Sequence, residues 1–476
     1  MRSLFLFVVY GMLILAIYSC RSNVASISIN DTDRRIIILP DSAYAISSDI
    51  NDADDPIRLF GIDFIAEDHL PVGDLSIRAI SSNTSVVPNE NLVLTGNGVN
   101  HNLKIKPIAA GYATITIAVT DGVRRYSYTL NYAVSKASTL TGKRWHTGIA
   151  DASAAIVIDE DYMIVANDES NYLYLYNRHH SGLPVQTFDF NQGNILGLTD
   201  SSGGKWKEVD VEAGVRSSRD PSVIYWIGSM SNNGSFFDKP NRNRLFAISV
   251  SGKGAAARFT NAGYYSQLRQ KLISWGNEQG YNFDSSAAVG KDSKKVNGFN
   301  IEGMVFGPDN KTLYIAFRAP LIPVTSRSKA VIAPVLDFEN WFNNGSPASD
   351  PRIGAPIELD LGGNGIRDLI CLPNGNYVII AGSCGWELTP AVYVWSGKTT
   401  DAPVKVHSFS LDALNVEGVL PVEDGDQLSL NKLQLLTDNG KEIFYGDTIC
   451  AKDLYCDNLK KFSSVIIELI EKNSLR

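Results

Sequence analysis

From residue 153 onward the chain repeats one pattern five times, and this repetition restricts its fold more than any other feature. Each unit has a short strand entered through a polar residue, a turn, a second apolar strand ending in a polar residue, a loop and a third strand. The first strands start at Ser153, Glu212, Glu302, Arg367 and Glu417, and the second strands end at Asp168, Ser229, Arg318, Ser383 and Asp438. Third strands cover 172–176, 244–248, 329–333, 391–395 and 464–469. Meanders repeating every roughly 50–90 residues are the signature of a β-propeller. Five blades are expected, with six as the alternative count. The longest unit carries an insert at 260–297, whose 264–275 portion reads as a surface helix.

Repetition converts directly into a site. Adjacent strands of a meander run antiparallel, so the start of strand one and the end of strand two lie at the same end of a blade. One propeller face is therefore expected to gather Ser153, Glu212, Glu302, Arg367 and Glu417 near the axis, with Asp168, Ser229, Arg318, Ser383 and Asp438 slightly further out. Packing alone would favour apolar residues here. Three Glu and two Asp against two Arg leave an acidic excess, which requires pairing with arginine or a bound cation. Calcium on Glu212, Glu302, Glu417 and Asp438 is one expectation, and an arginine-paired plug closing the channel is the other. Alternation directs Glu208, Asp210 and Glu212 to one side, and Lys207, His146, Arg242 and Arg244 are further candidates for the rim.

Upstream of the repeat the pattern changes. Residues 26–134 hold about seven short strands with turn punctuation, at 35–39, 57–66, 75–81, 91–95, 102–106, 113–120 and 126–134, which fits a β-sandwich. Ile115, Ile117 and Val119 alternate onto one side. The acidic run of Asp49, Asn51, Asp52, Asp54 and Asp55 reads either as oxygen ligands for calcium or as a solvated turn before Pro56. Small polar residues at 135–143 form a linker, and 144–476 is the propeller. The expected fold class is all-β: an N-terminal immunoglobulin-like β-sandwich followed by a β-propeller.

The first twenty residues read as a targeting device, with Arg2 ahead of an uncharged apolar stretch at 4–17 and a cysteine at 20. Ile17-Tyr18-Ser19-Cys20 resembles a bacterial lipobox. That resemblance implies a lipoprotein signal peptide at 1–19, lipidation of Cys20, a membrane partner through the lipid anchor, and an outer-membrane lipoprotein facing the periplasm or the cell surface. Of the five cysteines, Cys371, Cys384, Cys450 and Cys456 then remain, an even number for an oxidising compartment. Disulfides are expected between Cys450 and Cys456 in one polar loop and between Cys371 and Cys384 across a hairpin.

Several motifs carry a wider resemblance. Thr147-Gly-Ile-Ala-Asp-Ala-Ser-Ala-Ala155, the run from Lys207 to Gly214, Tyr225-Trp-Ile-Gly-Ser229, Pro240-Asn-Arg-Asn-Arg-Leu-Phe246, Asn300-Ile-Glu-Gly303 and Leu359-Asp-Leu-Gly-Gly-Asn-Gly-Ile-Arg367 occur in order. Together they resemble the bacterial family known as domain of unknown function 3616. Ile-Glu-Gly at 301–303, Val-Glu-Gly at 416–418 and Leu-Thr-Asp-Asn-Gly at 436–440 are more distantly similar to esterase-like propellers related to phytase, which implies calcium-dependent phosphoester or ester hydrolysis. The stretches at 85–90, 111–117 and 120–122 resemble bacterial immunoglobulin-like or cadherin-like modules, which implies a spacer or adhesive role.

Two function classes follow. One is a binding or interaction protein, whose polar mouth and the aromatics Trp206, Tyr225, Trp226 and Trp386 hold a small molecule, a glycan or a protein segment. The other is a calcium-dependent hydrolase in which Arg318 and Arg367 orient an anionic group while a metal-bound water attacks it. Nucleic acid is not expected as a partner, since the net charge is −8. The sequence contains no GxSxG elbow, HExxH, P-loop or dinucleotide fingerprint.

Overall fold

The computed structural model describes residues 37–38, 44–50, 52, 54–66, 75–120, 125–136, 142–232, 235, 237–345, 347–385, 389–407, 411, 414–424 and 427–469. Cys20 with its lipobox, the centre of the 135–143 linker and Trp386 lie outside the described residues. Among the described residues no helix is long and apolar enough to cross a membrane.

Five four-stranded antiparallel sheets follow one another from residue 152. Blade 1 comprises Ala152–Val157, Tyr162–Asn167, Tyr172–Asn177 and Gln186–Asp189. Blade 2 comprises Val211–Arg216, Val223–Gly228, Leu245–Ser251 and Arg258–Tyr265. Blade 3 uses Asn300–Phe306, Leu313–Ala319, Ala330–Val335 and Ile357–Leu359. Blade 4 uses Gly365–Cys371, Tyr377–Gly382, Ala391–Trp395 and Val404–Lys405. Blade 5 takes Val416–Asp424, Gln427–Thr437 and Lys461–Glu468 from the end of the chain. Its outer strand is Arg144–Thr147, from before blade 1, so the ring closes non-covalently. Each innermost strand packs against the innermost strand of the next blade, around to the first.

The continuous apolar runs of the second strands have a direct cause. A strand between two blades is buried on both faces, so both of its alternating sets must be apolar. In blade 4, Tyr377, Ile379 and Ala381 face the core shared with blade 3, whereas Val378 and Ile380 face the core shared with blade 5. The valine and isoleucine side chains among these contribute about 1.5–3 kcal/mol each on full burial.

Ahead of the propeller, two four-stranded sheets enclose one core. One contains Ile37–Ile38, Ile62–Ala66, Asn100–Ile105 and Leu92–Asn97; the other Ala45–Asp49, Arg125–Ser135, Gly111–Thr120 and Ser76–Ser81. The alternation at 115–119 places Ile115, Ile117 and Val119 in the core. Two local readings change. Residues expected as strand from 57 begin with the helical turn Pro56–Leu59, because the Asp55 carboxylate accepts the amides of Ile57 and Arg58 and Pro56 pre-sets the first turn. Ala45–Asp49, not expected as a strand, pairs in parallel with Arg125–Ser135.

The acidic run lies at the seam between the two units. Lys461 is fully buried and donates to Ser48 O at 3.1 Å and Ser135 Oγ at 2.5 Å. Burial lowers its pKa to about 8, opposed by Asp49, Asp55 and Asp52. Asp52 accepts from Ser181 Oγ and Asp55 from Ser48 Oγ, so these carboxylates are neither a solvated turn nor turned outward to a cation. Tyr112 donates to Asp447 and Ser47 meets the Tyr445 hydroxyl across the same seam.

The insert reads differently from the expectation. Arg258–Tyr265 is the outer strand of blade 2, and the helix runs over Leu268–Glu278. Leu268, Leu272, Ile273 and Trp275 are buried against Phe283, Phe299 and Phe317, so it is a packed helix. No disulfide joins the described cysteines: Cys371, Cys384, Cys450 and Cys456 are thiols. Cys371 pairs with Tyr377 at one end of blade 4, and Cys384 lies seven residues further along, about 20 Å away at the strand rise. The turn Ala451–Asp453 separates Cys450 from Cys456, whose side chain is drawn into an apolar cluster with Ala45, Tyr445 and Leu459.

Candidate functional site at the propeller mouth

In all five blades the innermost strand carries a β-bulge at the same place. The register slips between Ala152 and Ala154, Val211 and Ala213, Ile301 and Gly303, Ile366 and Asp368, and Val416 and Gly418. The extra residues are Ser153, Glu212, Glu302, Arg367 and Glu417. A bulge leaves one residue out of the ladder and re-aims its side chain, which accounts for polar residues inside strands otherwise buried on both faces. After Glu302, Gly303 is required for packing: a Cβ there would stand 2.6 Å from Leu369 Cδ2.

The mouth is electrically divided. On the side of blades 3 to 5 the charges are paired: Arg318 Nη1 donates to Glu302 Oε1 at 2.7 Å, and Arg367 Nη1 donates to Glu302 Oε2 at 3.1 Å and to Glu417 at 2.6 Å. Asn300 Nδ2 adds a bond to Glu302 Oε1, and Arg318 Nε donates to Ser383 O. Burial opposes the charge on Glu302, but Arg318 and Arg367 outweigh it and hold the carboxyl below its usual range. Burial, reinforced by Glu302, raises Glu417 to about 7 despite Arg367.

On the side of blades 1 and 2, carboxylates accumulate. Oxygens of Asp168, Asp210 and Glu212 all lie within 4.8 Å of one another. Arg242 reaches Asp210 at 2.8 Å and Glu208 at 3.1 Å, and Ser229 Oγ donates to Asp210. Asp168 Oδ1 is buried with no hydrogen-bond partner. Burial comes first in raising Asp168 and Glu212 well above the carboxylate range, followed for both by the charge of Asp210. Three carboxyls this close resist simultaneous ionisation unless a cation joins them. The site residues read from the sequence thus divide in two. Glu302 and Glu417 are arginine-bound, Glu212 belongs with Asp168, and Asp438 sits apart, accepting from Asn415 Nδ2 and Gly440 N. Ser153 turns its hydroxyl onto Val211 O at 2.5 Å.

Other candidates fall elsewhere. His146 is in the closing strand, fully buried, with Nε2 against Ser464 Oγ and its ring stacked on Phe462. Its pKa is lowered to about 3 by burial, then Arg144. Arg244 bonds the carbonyls of Leu196, Gly197, Pro240 and Asn243, a loop-holding role. Trp226 is fully buried between blades and Tyr225 donates to Glu339, so neither offers a stacking face at the mouth; Trp206 is exposed on a hairpin. Asp151, Glu169 and Asn300 carry no signal in the repeat pattern, because they lie just outside the aligned positions. Each lies within two residues of Ser153, Asp168 or Glu302 and reaches the mouth with that neighbour.

No protein-family model matches the chain, and no curated protein matches it. Solved structures align along most of its length at low similarity. A Bacteroides thetaiotaomicron protein of unknown function shares 8% identity, with 92% of this chain and 99% of that one covered and a TM-score of 0.27. A DUF4623 family protein from Bacteroides eggerthii shares 8% identity, with 91% and 94% covered and a TM-score of 0.26. Virginiamycin B lyase from Staphylococcus aureus shares 9%, with 83% and 100% covered and a TM-score of 0.28.

Proposed function

We propose that this protein is a membrane-anchored, extracytoplasmic binding protein of the domain of unknown function 3616 family whose propeller mouth takes its ligand together with a cation, calcium by ligand type. One observation carries the reading: Asp168, Asp210 and Glu212 hold oxygens within 4.8 Å of one another while, among the described residues, Arg242 is the one cation within salt-bridge distance of them. Hard cations choose such all-oxygen sets. The family reading is supported by where its motifs fall, since the run from Lys207 to Gly214 supplies Asp210 and Glu212, 300–303 supplies Glu302, and 359–367 ends on Arg367. Calorimetric titration of Ca²⁺ tests the site. Millimolar or tighter binding that Glu212→Gln removes is the expected result, and no heat at 10 mM Ca²⁺ in the parent protein overturns it.

The competing hydrolase requires arginines available to hold an anion. Both Arg318 and Arg367 are engaged by Glu302 and Glu417, which favours binding over phosphoester cleavage. Anchoring rests on Cys20 in its lipobox-like context. Cys20→Ala should abolish lipid labelling and release the protein from the membrane fraction, and unchanged labelling contradicts the anchor. The two-sheet unit, with its resemblance to immunoglobulin-like and cadherin-like modules, would hold the mouth away from the membrane.

A further inference from the structure

Beside the mouth, between blades 1 and 5, lies a separate cavity of about 340 Å³. It is within the range of roughly 300–1,000 Å³ typical of small-molecule sites. Asp151 forms part of its wall. This residue is 8% exposed, and among the described residues nothing donates a hydrogen bond or forms an ion pair to its carboxyl. Gly440 stands against the same carboxyl so closely that a Cβ would collide with Asp151 Oδ1, so the carboxyl keeps this position only beside a glycine. Burying a carboxyl without a partner is costly unless something supplies the missing contact.

The charges around the cavity are unequal. Lys452 is committed to Glu169 at 2.9 Å and Lys460 to Asp457 at 2.9 Å. Asp151 and Asp453 are left without a cation within salt-bridge distance among the described residues. Asp151 and Glu169 line one end of the cavity, and an oxygen of Asp168 lies behind them within 4.8 Å of both. Asn167 and Ser170 add polar lining and Tyr174 a ring. The space has room for a small organic molecule, with a positive group against Asp151 and polar groups toward Asn167 and Ser170.

We propose that this cavity binds a hydroxylated small molecule bearing a primary ammonium, of the amino-sugar class, with the ammonium on Asp151. This site adjoins the axial cation site through Asp168, centres on Asp151 and uses neither Asp210 nor Glu212. The experiment titrates the full chain in EDTA with glucosamine, glucose, N-acetylglucosamine and 1,5-diaminopentane, following heat and saturation-transfer NMR. Glucosamine should bind at least tenfold more tightly than either neutral sugar and more tightly than the diamine. Asp151→Asn should weaken it tenfold or more, whereas Lys452→Met, which releases Glu169, should strengthen it. Glu212→Gln should leave it unchanged, so failure of the axial calcium site and failure of this one are separable. Equal binding of the neutral sugars, the diamine bound as well as glucosamine, no binding at all, or indifference to Asp151→Asn in a folded variant overturns the proposal. So does displacement of glucosamine by Ca²⁺ in Glu212→Gln, which would make the cavity a metal site.

Discussion

At the scale of single residues, Arg367 governs the paired half of the mouth. Its guanidinium lies between Glu302 and Glu417, and those two carboxylates raise its affinity for its proton against the cost of burial. Removing one partner of a buried pair leaves an uncompensated charge, at a cost of about 3–5 kcal/mol. Arg367→Met is therefore expected to destabilise the protein by about that much in urea unfolding. The double variant Arg367→Met with Glu417→Gln should recover part of the loss, because it removes one of the two stranded carboxylates. Equal stability of the single variant and the parent would show that the pair contributes nothing.

At the scale of elements, the closing strand adds the fourth strand of blade 5 and ties the two ends of the ring together. Arg144–Thr147 pairs with Lys461–Glu468 through four residue pairs, and Phe462, His146 and Tyr176 form an aromatic cluster beneath it. Phe462 is fully buried. Phe462→Ala should cost about 3–5 kcal/mol through lost burial and the cavity left behind. The same cluster makes the acid limb of stability predictable. His146 has a folded pKa of about 3 against 6.5 in the unfolded chain, so the unfolded state binds more protons between those values. Its contribution is therefore complete above pH 6.5 and is lost as pH falls toward 3. His146→Gln should flatten that limb in a pH series of unfolding midpoints, and an unaltered acid limb would contradict the assignment.

At the scale of the whole molecule, the mouth carries the opposite linkage. Burial raises Asp151 to about 7 (with Asp438 and Glu169 assisting), Glu417 to about 7 and Asp368 to about 8. For each, the folded state binds more protons than the unfolded one between about pH 4 and the folded value. Stability from these groups is present at low pH and is lost as pH rises through 7 to 8. With three such carboxyls against one histidine, Tm should be lower at pH 8 than at pH 5.5, by roughly 5 °C. Ca²⁺ at 10 mM should recover part of the difference at pH 8, because a ligand that binds only the folded state stabilises it by mass action. A Tm that rises from pH 5.5 to pH 8 would contradict this account.

Three strands per repeat, a five-fold period favoured over six, and the polar position that recurs in each unit are legible along the chain. Each is local: alternation, apolar runs and a polar residue at a fixed place are legible without neighbours. Ser153, Glu212, Glu302, Arg367 and Glu417 could be aligned because one bulge recurs in every blade. The tertiary structure alone decided which of these charges meet. Glu302 and Glu417 share Arg367 because blades 3, 4 and 5 are adjacent, whereas Glu212 joins Asp168 from blade 1 and Asp210 from its own entry loop. The outer strands were not legible for a related reason. Val404–Lys405 is exposed and Arg144–Thr147 lies more than 300 residues from its partner, so neither carries a local pattern of its own. Charge pairing and sheet closure both depend on distances through space, and a one-dimensional pattern records only distances along the chain.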